Sequence, residues 1–89
     1  MYYVYILKSE KTKKRYIGST DDVTERLAEH NSGKTRSTRY GRPWYVIYTE
    51  EFKTKSEAQS REYQLKRFRG GEALKKLLAR AGTEAVKRG

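Results

Sequence analysis

Apolar positions in this chain come in three short aromatic and β-branched blocks and in stretches of helical spacing, separated by polar segments. Tyr2–Leu7 (YYVYIL) is the first block and predicts a strand. The polar segment 8–14 suits a hairpin connection, and Arg15–Ser19 is the second strand. Asp22-Val23-Thr24-Glu25 has the form of a capping box, with an acid at the cap position and Glu three residues on. A helix is therefore expected from about Asp22 to Asn31. Asn31-Ser32-Gly33 ends it, because Asn and Gly tolerate left-handed backbone there. Trp44–Thr49 (WYVIYT) is the third strand, entered through Pro43, whose missing N–H is tolerated at a strand start. A second helix opens at Ser56-Glu57-Ala58 and runs to about Arg67. Gly70-Gly71 breaks it, and Glu72–Ala81 reads as a third helix. The expected order is β-β-α-β-α-α, an α+β domain with a three-stranded antiparallel sheet flanked by helices. Residues 1–81 form that single domain, and 82–89 read as a frayed tail.

Strand parity refines the picture. Side chains alternate along a strand, so Tyr3, Tyr5 and Leu7 share one face of the first strand while Val4 and Ile6 share the other. On the second strand Tyr16 and Gly18 share a face, opposite to Ile17. Sending Val4, Ile6 and Ile17 together to a core leaves Tyr5 and Tyr16 side by side on the other face, with Gly18 leaving room for an approach to the backbone.

Composition narrows the class. A chain of 89 residues is one small domain, which buries only about 60–65% of its unfolded surface. Charged residues are 36%, near the border of disorder, but aromatics at 12% and ordered apolar periods favour a folded domain. The net charge is +10, a self-repulsion that calls for a polyanionic partner, nucleic acid ahead of a membrane surface. From His30 to Thr49 there is no acidic residue, and Lys34, Arg36, Arg39 and Arg42 make that segment a basic loop suited to phosphates. No cysteine is present, so disulfides and thiolate metal sites are excluded. No apolar run approaches the roughly 18 residues of a membrane span and no signal peptide is visible, which makes the cytoplasm the default location.

Several side chains could carry chemistry, and each has a structural explanation beside it. Tyr5 and Tyr16 could be a cross-strand aromatic pair that stabilises the sheet. Asp22, Arg26 and His30, at i, i+4 and i+8, share one helix face beside the apolar stripe of Val23 and Leu27. Arg26 offers a fork matched to phosphate oxygens, or a surface ion pair with Asp22 or Glu29. His30, the only histidine, can pass protons near neutral pH, or simply face the helix dipole. Glu62 shares the small apolar face of Ala58 and Leu65, where a carboxylate needs a pairing partner or a metal. Oxygen ligands suit Mg²⁺, and Lys66 at i+4 is the alternative partner.

Tyr5, the triplet Tyr16-Ile17-Gly18, Arg26, His30 and Glu62, in this order and spacing, resemble the GIY-YIG nuclease superfamily. Glu62 in Ala58-Gln59-Ser60-Arg61-Glu62 is similar to the family's metal-binding glutamate. The resemblance covers roughly residues 2–68. His30-Asn31-Ser32-Gly33 and the strand after Pro43 look like the small stand-alone, single-domain members, and the core resembles the catalytic domain of the excinuclease of nucleotide-excision repair. The first motif reads Tyr3-Val4-Tyr5 rather than Gly-Ile-Tyr. Ser19 stands where some members carry lysine, and no counterpart of a late asparagine is visible.

The resemblance implies one-step, Mg²⁺-dependent hydrolysis of a nucleic-acid phosphodiester, DNA ahead of RNA, with water as nucleophile. Glu62 would hold the metal, and Arg26 would stabilise charge on the phosphoryl oxygens. Tyr5 or Tyr16 would act on the water with His30 as proton acceptor. Two other classes stand beside this one: a nucleic-acid-binding module that does not cut, with a protein partner supplying targeting, and a protein–protein adaptor on the same fold.

Overall fold

A computed structural model describes residues 1–68 and 72–80. The Gly70-Gly71 break, Ala81 and the tail 82–89 lie outside the described residues. Among the described residues the elements are β1 (Tyr2–Ser9), β2 (Arg15–Thr20), α1 (Val23–Ser32), β3 (Trp44–Phe52), α2 (Lys55–Lys66) and α3 (Glu72–Arg80), with a 3-10 turn at Arg39–Gly41. The sheet has the order β2-β1-β3 and is antiparallel throughout. The fold is thus the expected α+β arrangement in the expected order.

β1 is the middle strand, and its alternating side chains build a core on each face. Val4 and Ile6 pack with Ile47, Ala58, Leu65 and Leu78, under α2 and α3. Tyr5 and Leu7 pack with Trp44, and Tyr16, Val23 and Leu27 close that second cluster under α1. In the β1–β2 register Ile6 faces Ile17, Tyr5 faces Gly18 and Leu7 faces Tyr16. The hairpin parity read from the sequence therefore holds.

β1 and β3 pair with an irregularity between Ile6 and Leu7: Ile6 faces Tyr48 but Leu7 faces Val46, so Ile47 is extra on β3. An extra residue of this kind resets the alternation of its strand. It allows Ile47 and Tyr48 to serve the α2 side while Trp44 and Val46 serve the α1 side. β3 also runs three residues beyond Thr49, because Glu50, Glu51 and Phe52 pair with Val4, Tyr3 and Tyr2 at the start of β1.

The helix starts follow their caps. The Asp22 side chain accepts from the Glu25 N–H at 3.0 Å, and Gly33 closes α1 in the left-handed region at φ 87°. α2 starts one residue before Ser56, because Thr54 and Glu57 form a reciprocal capping box. Arg61 clamps α2 to β3: its Nε and Nη2 each donate to Glu50 at 3.0 Å. The next residue on α2 is Glu62.

Candidate active site

The site begins with the middle strand. Tyr5 is 1% exposed, and its phenol lies across the hairpin over Gly18. A Cβ at Gly18 would stand 2.5 Å from Tyr5 Oη and 2.7 Å from Tyr5 Cζ. The room that the sequence left at Gly18 is therefore filled by Tyr5 itself. Tyr16 stands beside it with ring centroids 6.4 Å apart, half-buried where Tyr5 is fully buried.

α1 brings the other two groups. Arg26 and His30, one helical turn apart, both reach the Tyr5 phenol. His30 is fully buried, and its Nε2 lies 3.1 Å from Tyr5 Oη. Its ring meets Tyr16 edge-on at 4.7 Å between centroids. On the far side His30 Nδ1 lies 2.7 Å from Thr38 Oγ1, a residue of the basic loop that is itself buried. Arg26 donates to Glu29 at 2.6 Å, and its charge acts on the Tyr5 phenol. Of the two ion-pair partners open to Arg26 in the sequence, Glu29 is the one used, while Asp22 is committed to the helix cap.

These neighbours set the proton affinities. Burial pushes the Tyr5 phenol up to about 12, against the Arg26 guanidinium that pulls it down, and the nearby Tyr16 and Glu62 charges add to the rise. Burial, and then the Arg26 charge, hold His30 below the ordinary imidazole value, against a smaller pull upward from Glu29. Arg26 is held in its charged form by Glu29 and Tyr5. At neutral pH the site therefore holds a protonated phenol, a neutral imidazole and a fixed guanidinium. A neutral imidazole beside a phenol O–H is a proton acceptor in waiting.

Glu62 approaches along the edge strand. Its Oε1 accepts from Ser19 Oγ at 2.7 Å, and its Oε2 pairs with Lys66 Nζ at 2.7 Å. Ala58 and Leu65 on the same helix face are buried, whereas the Glu62 side chain keeps 21% exposure. The Lys66 pairing, the alternative to a metal, is thus present. Among the described residues, no three His, Cys, Asp or Glu side chains gather as a metal cluster. A single carboxylate still fits Mg²⁺, which commonly takes one or two carboxylates and completes its shell with phosphate and water. Lys66 is 53% exposed at its side chain and can swing clear.

The basic loop lies against this cluster. Lys34, Arg36, Arg39 and Arg42 are all exposed. Arg39 Nε donates to Gly33 O at 3.1 Å and Arg42 Nε donates to Arg39 O at 2.8 Å. Each guanidinium is thus anchored at one nitrogen, and among the described residues neither pairs with a carboxylate. Arg39 and Arg42 line a cleft of about 340 Å³ with Lys11, Asn31, Tyr40 and Pro43. The loop is tied down from three sides: Trp44 Nε1 donates to Thr38 O at 2.7 Å, Asn31 bonds both backbone groups of Trp44, and Ser9 Oγ donates to Gly41 O at 2.6 Å.

The structure brings Tyr5, Tyr16, Gly18, Arg26 and His30 into one cluster with Glu62 at its edge. Two further members escaped the sequence reading. Ser19 stood out only as a replacement for lysine, yet its hydroxyl holds Glu62. Thr38 is one of several hydroxyl residues in a loop without periodicity, so nothing local distinguished it.

The fold and this cluster define a GIY-YIG catalytic domain. The family model of that description matches residues 1–71, and the chain belongs to the family. Its relatives there include small proteins named UPF0213. One from Staphylococcus haemolyticus is 44% identical over 83% of this chain and 90% of its own length. One from Clostridium perfringens is 44% identical over 75% of this chain and 72% of its own length. The solution NMR structure of a UPF0213 protein from Bacillus halodurans superposes with a TM-score of 0.54 at 34% identity, covering 93% of this chain and 87% of that one. No helix among the described residues is long and apolar enough to cross a membrane.

Proposed function

We propose that this chain is a divalent-metal-dependent endonuclease acting on DNA, with the cluster around Tyr5 as its active centre. Family membership supports the nuclease class. The observation that carries the reading is the buried contact of Tyr5 Oη with His30 Nε2 at 3.1 Å, beside the Arg26 guanidinium.

A phenol with its affinity raised to about 12 is a poor base by itself at neutral pH. It becomes an effective one when its own proton has somewhere to go. As water attacks phosphorus, one water proton passes to Tyr5 Oη while the Tyr5 proton passes to His30 Nε2, and the oxygen–phosphorus bond to the leaving strand breaks. Tyr16, the more exposed phenol, orients the water. Arg26, charged throughout, faces the phosphoryl oxygens on which negative charge builds. Tyr5 is closed off in the free protein, so the water it acts on enters with the phosphate that Arg26 binds. Glu62, steadied by Ser19, would hold Mg²⁺, which when bound supplies charge neutralisation at the phosphate and leaving oxygen. Lys34, Arg36, Arg39 and Arg42 hold the backbone without reading sequence.

The Glu62–Lys66 pair favours a second reading, a nucleic-acid-binding module that does not cut. A nicking assay on supercoiled plasmid and on single-stranded DNA and RNA, with and without Mg²⁺, separates the two. The expected result is metal-dependent cleavage that falls by about 10²–10³-fold in Arg26→Ala, the usual cost of removing one donor to transition-state charge, and is abolished in Glu62→Gln. Cleavage that survives both changes refutes the assignment. Binding without cleavage by the wild type establishes the second reading.

A further inference from the structure

We infer that Thr38, from the basic loop, is a positioning residue that fixes which nitrogen of His30 carries the proton, and so makes Nε2 the acceptor for Tyr5. Donors and acceptors have to balance in a closed space. Tyr5, His30 and Thr38 are each at most 1% exposed, so their polar atoms satisfy one another. The Arg26 guanidinium, whose charge acts on the Tyr5 phenol, can only donate and so offers no acceptor. Among the described residues the Tyr5 proton has one acceptor within reach, His30 Nε2 at 3.1 Å. An imidazole that accepts at Nε2 and is neutral carries its proton on Nδ1. That proton needs an acceptor, and Thr38 Oγ1 at 2.7 Å is the atom there. The Thr38 hydroxyl in turn points its hydrogen to Thr35 O at 3.4 Å.

The opposite arrangement fails at its end. If Thr38 donated to Nδ1, Nε2 would carry the proton and donate to Tyr5. The phenol hydrogen would then face a donor on His30, and no acceptor among the described residues, in a buried place. The chain Tyr5 to His30 to Thr38 to the Thr35 carbonyl therefore runs in one direction, and it is the direction general-base action by His30 requires. Thr38 itself is held by its backbone: its N–H donates to Thr35 O at 3.2 Å, and its carbonyl accepts from Trp44 Nε1. A threonine on a loop is thus as firmly set as the strand and helix it completes.

His30 is the only histidine, so the long-range ¹⁵N–¹H spectrum of labelled protein contains one imidazole and can be read without assignment. At pH 8 the wild type is expected to show a protonated Nδ1 and an unprotonated Nε2. Thr38→Ser keeps that pattern. Thr38→Val, which keeps the shape and removes the hydroxyl, shifts the ring toward the Nε2-protonated form that imidazole favours in water. The other groups facing the ring, Arg26 and Glu29 from α1, Tyr5 from β1 and Tyr16 from β2, are the same in all three proteins. A wild-type ring protonated at Nε2, or an unchanged spectrum in folded Thr38→Val, overturns the inference. Should Thr38→Val fail to fold, the wild-type spectrum together with Thr38→Ser decides it. This measurement needs no nuclease activity, so its failure is distinct from failure of the proposed function. A kinetic arm rests on that function. There Thr38→Val lowers kcat about 10–100-fold at unchanged KM, the size found for outer partners of metal-bound histidines, and Thr38→Ser restores it.

Discussion

Adding one carbon at Gly18 tests the centre of the site through stability alone. Gly18 does not sit in a left-handed conformation, so Gly18→Ala involves no backbone strain there. In an unobstructed strand the change is expected to stabilise by about 0.5–1 kcal/mol, because alanine loses less chain entropy on folding. Here the new Cβ would stand 2.5 Å from Tyr5 Oη and 2.7 Å from Tyr5 Cζ, closer than carbon tolerates. The phenol cannot swing away cheaply, since it is buried among Leu7, Trp44 and Tyr16 and bonded to His30. Overpacking of this kind costs about 1–3 kcal/mol. Displacing the phenol also orphans buried partners, at about 1–3 kcal/mol more. The net expectation is a loss of about 1–5 kcal/mol, a sizeable fraction of the roughly 4–13 kcal/mol total for a chain of this length. Urea unfolding followed by the fluorescence of the single tryptophan, Trp44, measures it. Gly18→Ala combined with Tyr5→Phe should recover only part of the loss, because the ring carbon stays in the way. A Gly18→Ala protein as stable as wild type, or more so, would refute the contact and the placement of Tyr5 with it.

Two further outcomes follow from charge. With Lys34, Arg36, Arg39 and Arg42 each on a phosphate, binding to duplex DNA should fall about 150-fold between 50 and 200 mM salt, from a slope of about −0.9 per contact; a fluorescence-anisotropy titration showing a flat dependence would sink the basic-loop reading. His30 resists protonation in the fold, whereas in the unfolded chain it titrates near the ordinary value of about 6.5. Below that pH the unfolded state binds more protons, so the His30 contribution is complete above about 6.5 and is lost as pH falls from there through the lower folded value. The stability difference between wild type and His30→Asn, measured by urea titration at several pH values, should therefore shrink on acidification, and a difference independent of pH would count against a neutral buried ring.

The parts of this protein that follow local rules were legible in its residues. Alternation in Tyr2–Leu7 and in Tyr16-Ile17-Gly18 fixes which side chains share a face, and the two-sided core follows it. Asp22, Glu25 and Gly33 mark the ends of α1 because caps are made by nearby residues. The legibility fades where partners come from far along the chain. β3 reaches Phe52 only because β1 offers backbone groups there, and the extra residue Ile47 is set by the demands of two cores at once. Thr54 and Ser56 are both good caps, and only the reciprocal bond with Glu57 decides between them. In the site, Tyr5, Tyr16, Arg26, His30 and Glu62 carried a motif. Ser19 and Thr38 act through contacts across 43 and 8 residues that no periodicity announces.

β1 is paired on both sides, and this has a consequence for the durability of the site. Edge strands, loops and helix ends open locally, at a cost far below that of unfolding the whole domain. A strand enclosed between two others has no such private route, and Tyr5 lies at its centre. The phenol can lose its place only when the sheet itself comes apart. The exposed side-chain ends of Lys34, Arg36, Arg39 and Arg42 are left to adapt to whatever polyanion they meet, while the group proposed to take the proton persists for as long as there is a fold at all.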